Sequence, residues 1–151
     1  MCWGAMNLRS SRGDRYSRGS PKAEAGTAGA ERANLGAALL HAGQLEEASV
    51  QLRAGWERLR ITIGDALLVS DHVACWLAAR GRWRDAVRIL GYTDACYGDM
   101  GRLRQMSENR SRERSVALIK DELADEEIAA LMRDGATLRE RDAFELAFGG
   151  A

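Results

Sequence analysis

Apolar residues recur every three or four positions through most of the chain beyond residue 28, which is the spacing of one face of an α-helix. The clearest stripe consists of Ala48, Leu52, Trp56 and Leu59, and it predicts a helix that packs against the preceding one. No stretch alternates strongly enough between apolar and polar residues to predict a strand. The pattern predicts an all-α fold, with helices over residues 30–42, 45–59, 67–78, 83–97, 102–123, 126–133 and 138–148.

Glycines divide these helices. Gly43 and Gly81 are predicted to end a helix each, because glycine adopts the left-handed backbone conformation without a steric penalty. The other predicted boundaries are Asp65 and Asp125 as helix caps, a loop over 98–101, breaks at Gly64 and Gly135, and a capping box formed by Thr137 and Glu140.

A helix–turn–helix pattern occurs twice, and its turn glycines, Gly43 and Gly81, lie 38 residues apart. Small residues such as Gly36 and Ala48 are expected where the two helices of a pair approach closely, because a larger side chain would separate them. The positions that define the repeat are Leu35, Gly36, Leu39, Gly43, Ala48 and Leu52 in the first copy, and Val73, Ala74, Leu77, Gly81, Ala86 and Leu90 in the second.

This unit resembles the tetratricopeptide repeat, a helix–turn–helix motif with a period of ~34 residues. The first copy carries the large–small pair Leu35-Gly36 and the small packing residue Ala48 of that motif. The second copy has Val73-Ala74 instead of Leu-Gly, and Arg60 stands where a proline usually ends the unit. The resemblance implies antiparallel helix pairs stacked side by side.

Two longer runs are similar to the C-terminal helical repeats of large bacterial signalling ATPases and transcriptional regulators. One run covers 77–91 and the other 128–143, although Met132 and Ala124 replace a tryptophan and a glycine that are common in those proteins. The resemblance spans about 30–148 and implies the C-terminal sensor or scaffold part of such a regulator, or a remnant of one. Their ATPase, DNA-binding and cyclase motifs are missing from this chain, so those activities are not implied.

The composition is that of an ordinary globular domain, with 46% hydrophobic and 29% charged residues and balanced formal charge. Cys2, Cys75 and Cys96 are too few and too scattered for a disulfide framework, so we expect reduced cysteines. No apolar run approaches the ~18 residues of a membrane span, and arginines interrupt the N-terminus where a secretory signal would be apolar. These features favour a cytoplasmic location.

Residues 1–28 form a leader rich in Gly, Ser and Arg, which we expect to be disordered because it can bury little apolar surface. Two helix pairs over 29–98 and a C-terminal helical cap over 99–151 are expected to follow. Basic segments at 9–22 and 102–114 leave an alternative open, in which the chain is a nucleic-acid-associated regulator that contacts phosphates through arginine. The simpler interpretation of 102–114 is the solvated first half of a helix.

The sequence contains no arrangement of residues that is typical of catalysis. Its only histidines are His41 and His72, no Cys or His pair has zinc-ligand spacing, and the 98–101 segment lacks the Lys-Ser/Thr of a phosphate-binding loop. We therefore expect no metal, no cofactor and no enzymatic activity. The tryptophans are expected in the core, with Trp83 as an alternative contact for a partner.

The leading hypothesis is a non-catalytic helical-repeat module that binds a protein, a peptide or other domains of a parent regulator. The partner would lie in a groove lined by the first helix of each pair. Candidate residues for that groove are Asn34, His41, Asp71 and Arg80.

Overall fold

The computed structural model describes residues 19–62 and 64–150, and that part of the chain is all-helical, without a strand. Its seven helices are α1 (Pro21–His41), α2 (Leu45–Leu59), α3 (Leu67–Ala79), α4 (Trp83–Met100), α5 (Met106–Lys120), α6 (Asp125–Ala136) and α7 (Glu140–Phe148). The predicted all-α class is confirmed.

Helices α1 and α2 form an antiparallel pair that packs through glycines. A Cβ on Gly29 would lie 2.7 Å from Leu59 Cγ, and one on Gly55 would lie 3.1 Å from the Ala33 amide nitrogen. Near the turn, a Cβ on Gly36 would lie 2.6 Å from Leu52 Cδ2. The predicted close approach at Gly36 is therefore present, and it continues along the whole pair.

Enlarging either small residue near this turn should destabilise the fold. We expect Gly36→Leu and Ala48→Leu each to lower the free energy of unfolding by about 1–3 kcal/mol, because Leu52 and Ala48 are wholly buried and leave no space. Gly26→Ala is the control, since a Cβ at that position of α1 meets nothing within 4 Å. Urea denaturation of the three variants measures the effect, and equal midpoints would contradict it.

The two predicted turns have the same backbone hydrogen bonds. In the first, the Gln44 amide donates to the Leu39 carbonyl over 2.9 Å, and in the second the Arg82 amide donates to the Leu77 carbonyl over the same distance. Both turn glycines are left-handed, with φ of 80° at Gly43 and 77° at Gly81. The prediction that these two glycines end α1 and α3 is confirmed.

Helices α3 and α4 form the second pair and occupy the centre of the molecule. Helix α5 packs mainly on α3, while α6 crosses α4. The three C-terminal helices thus enclose the second pair from two sides. The core shared by all these helices includes Leu40, Leu52, Trp56, Leu77, Ile89 and Ile119.

The last helix, α7, closes the core through aromatic side chains. Phe148 stacks on Trp76 with ring centroids 5.7 Å apart, and Phe144 meets Trp56 edge-to-face at 6.0 Å. The Trp56 indole nitrogen also donates to Glu140 Oε1 over 2.6 Å, which fixes the start of α7 against α2. Tryptophan burial was predicted correctly for Trp56 and Trp76.

Helices α4 and α6 cross with their backbones in close contact, and the sequence did not predict this crossing. A Cβ on Gly91 would lie well inside the van der Waals contact distance from the Met132 carbonyl oxygen, and one on Gly135 would overlap the Arg88 carbonyl oxygen in the same way. Gly135 was predicted to end α6, which is wrong, because the helix continues through it to Ala136.

Several other boundaries also differ from prediction. Helix α1 begins at Pro21, where the Ser20 hydroxyl accepts the Ala23 amide over 3.2 Å, so 21–28 are helical and the leader is shorter than expected. Residues 1–18 of the predicted leader lie outside the described residues. Helix α4 extends through the predicted 98–101 loop to Met100, and Gly101 caps it with φ of 61°.

The predicted polar caps of three helices are also absent. Asp65 does not cap α3, and its carboxylate accepts a hydrogen bond from Arg102 instead. Asp125 is the first residue of α6 and not its cap. The Thr137 hydroxyl donates to the Asp134 carbonyl over 2.8 Å while Glu140 points toward Trp56, so these two residues form no capping box.

Candidate functional site

The four residues predicted to line a groove do not come together. Asn34 and His41 are exposed on α1, with His41 Nδ1 lying 3.1 Å from an Arg114 nitrogen on α5. Asp71 is wholly buried beneath α5, and Arg80 is exposed at the end of α3, where it contacts Glu46 of α2. The groove prediction is wrong for Asp71, because α5 packs over the part of α3 that carries it.

Among the repeat-defining positions, Leu35 also departs from prediction. It is 48% exposed on α1, whereas the equivalent Val73 is wholly buried on α3. Helix α1 lies at the edge of the array, so its outer face has less protein to pack against. Leu39 is half-buried, and Gly36, Ala48, Leu77 and Ala86 are buried as expected.

Asp71 belongs to an ion cluster, which consists of buried Asp71 and partly buried Asp94, Arg104 and Arg112. Arg104 Nε donates to Asp71 Oδ2 over 2.7 Å, and the other side of the same guanidinium donates to Asp94. Arg112 donates to both oxygens of Asp94, at 3.1 and 2.7 Å. Two carboxylates and two guanidiniums alternate, and together they hold the start of α5 on α3 and α4.

The pKa values of the two carboxylates in this cluster are shifted in opposite directions. Burial raises the pKa of Asp71 to about 6, in opposition to its hydrogen bond from Arg104. Its second oxygen, Oδ1, is buried without a hydrogen-bond partner among the described residues. For Asp94, the two guanidiniums of Arg112 and Arg104 outweigh burial and hold the pKa below its ordinary value. Asp71 is therefore the less stable of the two anions.

Next to Asp71, His72 is buried in the same interface. Its Nδ1 lies 2.7 Å from the Ser111 hydroxyl of α5, and both side chains are inaccessible to solvent. Burial lowers the pKa of His72 to about 4, so the imidazole is neutral near pH 7. Ser111, His72 and Asp71 are close in space, but Asp71 is directed to Arg104, and none of the three is reachable by a substrate.

The opposite pKa shifts of Asp71 and His72 predict a specific pH dependence. Folding raises the pKa of Asp71 from 3.8 to about 6, so the folded chain binds more protons between these values, and this group lowers stability as pH rises. Folding lowers the pKa of His72 from 6.5 to about 4, so this group raises stability over nearly the same window. The two contributions oppose each other between pH 4 and 6.

Asp71→Asn should therefore uncover the contribution of His72. We compare the free energy of unfolding of this variant with that of the original chain at each pH. We expect the difference, variant minus original, to increase by about 2–3 kcal/mol from pH 4 to pH 6, since one pKa unit corresponds to ~1.4 kcal/mol. Denaturation at several pH values measures this difference. His72→Gln is the matched variant and should show the opposite trend; a difference independent of pH in both variants would contradict the assignment.

The arginines of the 102–114 segment are mostly engaged within the chain. Arg104 and Arg112 belong to the ion cluster, and Arg102 contacts Asp65 at 3.4 Å. Arg114 lies beside His41. The first four residues of the segment precede α5, which begins at Met106, and Glu108 Oε2 accepts a hydrogen bond from the Gln105 amide over 2.8 Å at that start. The segment is therefore not simply a solvated helix face.

An open cleft lies where α2, the α3–α4 turn and the end of α7 meet. We call it the arginine cleft. Its volume is about 470 Å³, and its lining residues are Ser49, Val50, Arg53, Trp76, Arg80, Arg82, Ala147, Phe148 and Gly150. Three of them carry a positive charge, and none is acidic.

Two of the three arginines form exposed ion pairs. Arg80 Nη1 contacts Glu46 at 2.6 Å, and the Glu46 side chain is 79% exposed. Arg53 contacts Glu57 at 3.2 Å, with both side chains about half exposed. Exposed pairs of this kind contribute little to stability and exchange readily with other charges.

The third arginine builds the wall of the cleft. Arg82 donates from Nη1 to the Ala147 carbonyl over 3.0 Å and from Nη2 to the Leu146 carbonyl over 2.8 Å. Its Nε donates to Asp85 over 3.0 Å. Each of its three guanidinium nitrogens donates a hydrogen bond inside the chain, so Arg82 positions α7.

The floor of the cleft is apolar. The Trp76 indole nitrogen donates to the Leu45 carbonyl over 3.0 Å, while the Arg80 guanidinium lies 5.5 Å from the ring centroid. Phe148 stacks against the same tryptophan, and Val50 at the edge is 62% exposed. Trp83, the aromatic residue considered as a partner contact, is half-buried against the core and does not line this cleft.

Only Arg80 of the cleft was among the predicted site residues. A local signal existed, because Arg80 and Arg82 flank the turn glycine of the second pair. Arg53, Ala147 and Phe148 come from distant parts of the sequence, and nothing in the spacing indicated that α7 would return to α2. The cleft therefore depends on tertiary packing that the sequence pattern did not specify.

Other classes of site find no support in the described part of the chain. Residues 19–62 and 64–150 contain no cluster of three or more metal-ligating side chains. No described helix combines the length and apolar character needed to cross a membrane. Cys75 and Cys96 are both free thiols, as expected, and burial raises the pKa of each.

Comparisons of the chain with models of known protein families, with curated proteins and with solved structures found no match.

Proposed function

We propose that the chain is a non-catalytic helical-repeat module that binds a protein or peptide partner in the arginine cleft. The observation that carries the proposal is the composition of that cleft, which places the exposed guanidiniums of Arg53 and Arg80 beside exposed Val50, above the largely buried aromatic rings of Trp76 and Phe148. Arginine and aromatic residues are enriched at the energetic centres of protein interfaces. Partner binding through such a cleft requires no catalytic group.

The repeat organisation is the second part of the proposal. Its support is the identical hydrogen bonding of the two turns, 38 residues apart, and the close antiparallel packing of α1 on α2. We propose that the two pairs are tetratricopeptide-like and that 99–151 cap them. Helix α5 occupies the side on which a groove was expected, so the proposed binding surface moves to the side formed by α2 and α7.

The resemblance to bacterial regulators also remains part of the proposal. It supports a role as the C-terminal sensor or scaffold region of a transcriptional or signalling regulator, or as a remnant of one. Under that hypothesis the partner in the arginine cleft is a separate protein or another domain of the parent. This hypothesis requires no cofactor.

The nucleic-acid alternative has weaker support. It relied on 9–22 and 102–114, and three arginines of the second segment contact aspartates within the chain. The part of the first segment before residue 19 lies outside the described residues. An enzymatic role has weak support as well, because Asp71 and His72, the neighbouring acid and histidine with strongly shifted pKa values, are buried.

A comparative capture experiment tests the proposal. Immobilised chain is incubated with lysate alongside two matched double variants, Arg53→Gln/Arg80→Gln in the cleft and Arg133→Gln/Arg141→Gln outside it. We expect at least one protein to be retained by the original chain and the second variant but lost from the first. Identical retention by all three would overturn the assignment of partner binding to this cleft.

A further inference from the structure

We infer that the arginine cleft accepts an acidic peptide segment in which carboxylates flank one large apolar side chain. This inference rests on the proposed function and specifies the chemistry of the partner.

The charge of the lining favours an anionic partner. Arg53, Arg80 and Arg82 line the cleft without an acidic residue among the lining side chains. The acids that pair with Arg53 and Arg80 lie at the rim, and Glu46 is 79% exposed. A partner carboxylate can replace Glu46 on Arg80 at small cost, because exposed ion pairs contribute little to stability.

The geometry of the donors favours carboxylates over a single point charge. Among the described residues, Arg80 uses Nη1 for Glu46, and Arg53 uses Nε for Glu57. The remaining nitrogens of both guanidiniums are open to a partner, and a guanidinium binds carboxylate through two parallel hydrogen bonds. Arg53 lies in α2 and Arg80 directly follows α3, so the two side chains bind two separate carboxylates of the partner.

The apolar floor supplies the second half of the recognition. Val50 is 62% exposed beside Arg53, and Trp76 and Phe148 stack beneath Arg80. Trp76 and Phe148 are only 6% and 9% exposed, so Val50 is the apolar side chain of the lining that faces solvent. Burial of a partner's apolar side chain against Val50 removes this surface from water, and it shields the neighbouring ion pairs from solvent. A purely acidic peptide would leave Val50 exposed.

The same rim argues against an extended nucleic-acid backbone. Glu46, Glu57 and Asp85 surround the arginines at the edge of the cleft. Evenly spaced phosphates running across this edge would approach these acids, whereas a short peptide places its carboxylates only where the arginines are. An acidic–apolar peptide is therefore the occupant that fits this cleft.

Fluorescence anisotropy with a labelled synthetic peptide tests this inference. The probe alternates glutamate with leucine; one comparison peptide replaces every glutamate by glutamine, and another replaces every leucine by glycine. We expect saturable binding of the probe and at least tenfold weaker binding of both comparison peptides. Equal binding of the glutamine peptide would overturn the inference.

Variants of the chain locate the binding site. We expect Arg53→Gln/Arg80→Gln and Val50→Asp each to weaken binding of the probe at least tenfold, while Arg133→Gln/Arg141→Gln leaves it unchanged. These side chains are exposed, and circular dichroism verifies that the helical content is retained. Unchanged affinity in both cleft variants would overturn the inference.

Two further measurements separate this inference from its alternatives. If a short single-stranded oligonucleotide competes for the cleft more strongly than the peptide, or if the chain self-associates in sedimentation and the Arg53→Gln/Arg80→Gln variant does not, the occupant is not an acidic peptide. A protein captured through the cleft that the acidic peptide cannot displace would overturn this inference and leave the proposed function standing.

Discussion

Gly135→Ala should lower the free energy of unfolding by about 3 kcal/mol or more, at the upper end of overpacking effects. The new Cβ would overlap the Arg88 carbonyl oxygen, which belongs to the backbone of α4 and cannot rotate away. Gly91 meets the Met132 carbonyl reciprocally, so α4 and α6 must separate before either position accepts a methyl group. Thermal and urea denaturation measure the loss.

Gly98→Ala is the matched control on α4. A Cβ there meets nothing within 4 Å, and the position is helical and exposed. Replacing glycine by alanine inside a helix stabilises it by about 0.5–1 kcal/mol, so this variant should unfold at a higher urea concentration. If Gly135→Ala were as stable as Gly98→Ala, α6 would not cross α4 where the structure has it.

Arg104→Met should cost about 3–5 kcal/mol at pH 7, the range observed when one partner of a buried ion pair is removed. Methionine retains much of the aliphatic stem and removes the guanidinium, which leaves Asp71 buried without a cation at Oδ2. Asp94 retains Arg112, so the loss is concentrated on Asp71. Denaturation at pH 7 measures this loss.

The pKa of Asp71, raised to about 6 by burial, makes the cost of Arg104→Met depend on pH. At pH 5 most of Asp71 is protonated, so the variant should lose less stability there than at pH 7. The double variant Asp71→Asn/Arg104→Met should recover part of the loss at pH 7, because it removes the buried charge. A loss of the same size at both pH values, with no recovery in the double variant, would contradict this account.

Local sequence signals predicted the parts of the fold that depend on local geometry. The turns at Gly43 and Gly81 were predicted because a left-handed residue ends each helix, and the stripe from Ala48 to Leu59 was predicted because one face of α2 is buried. These features require information only from neighbours within one helix and one turn. They were sufficient for the all-α class and for most helix positions.

Features that depend on long-range packing were not predicted. Asp71 was expected to line a surface groove, but it is buried, and its partner Arg104 is 33 residues away. Gly135 was expected to end a helix, but it is a crossing point whose counterpart, Gly91, lies on another helix. The same limitation applies to the arginine cleft, since Arg82 and α7 meet across 65 residues.

Because Arg82 donates hydrogen bonds to α7, the cleft can form only after α7 has been synthesised. Two carbonyls of α7, those of Leu146 and Ala147, form the wall that Arg82 holds, and Phe148 forms part of the floor. A ribosome delivers both helix pairs before it delivers these residues. Nascent chains stopped short of Phe148 would carry Arg53 and Arg80 but not the complete cleft, so binding through it reports that the last described helix has been made and docked.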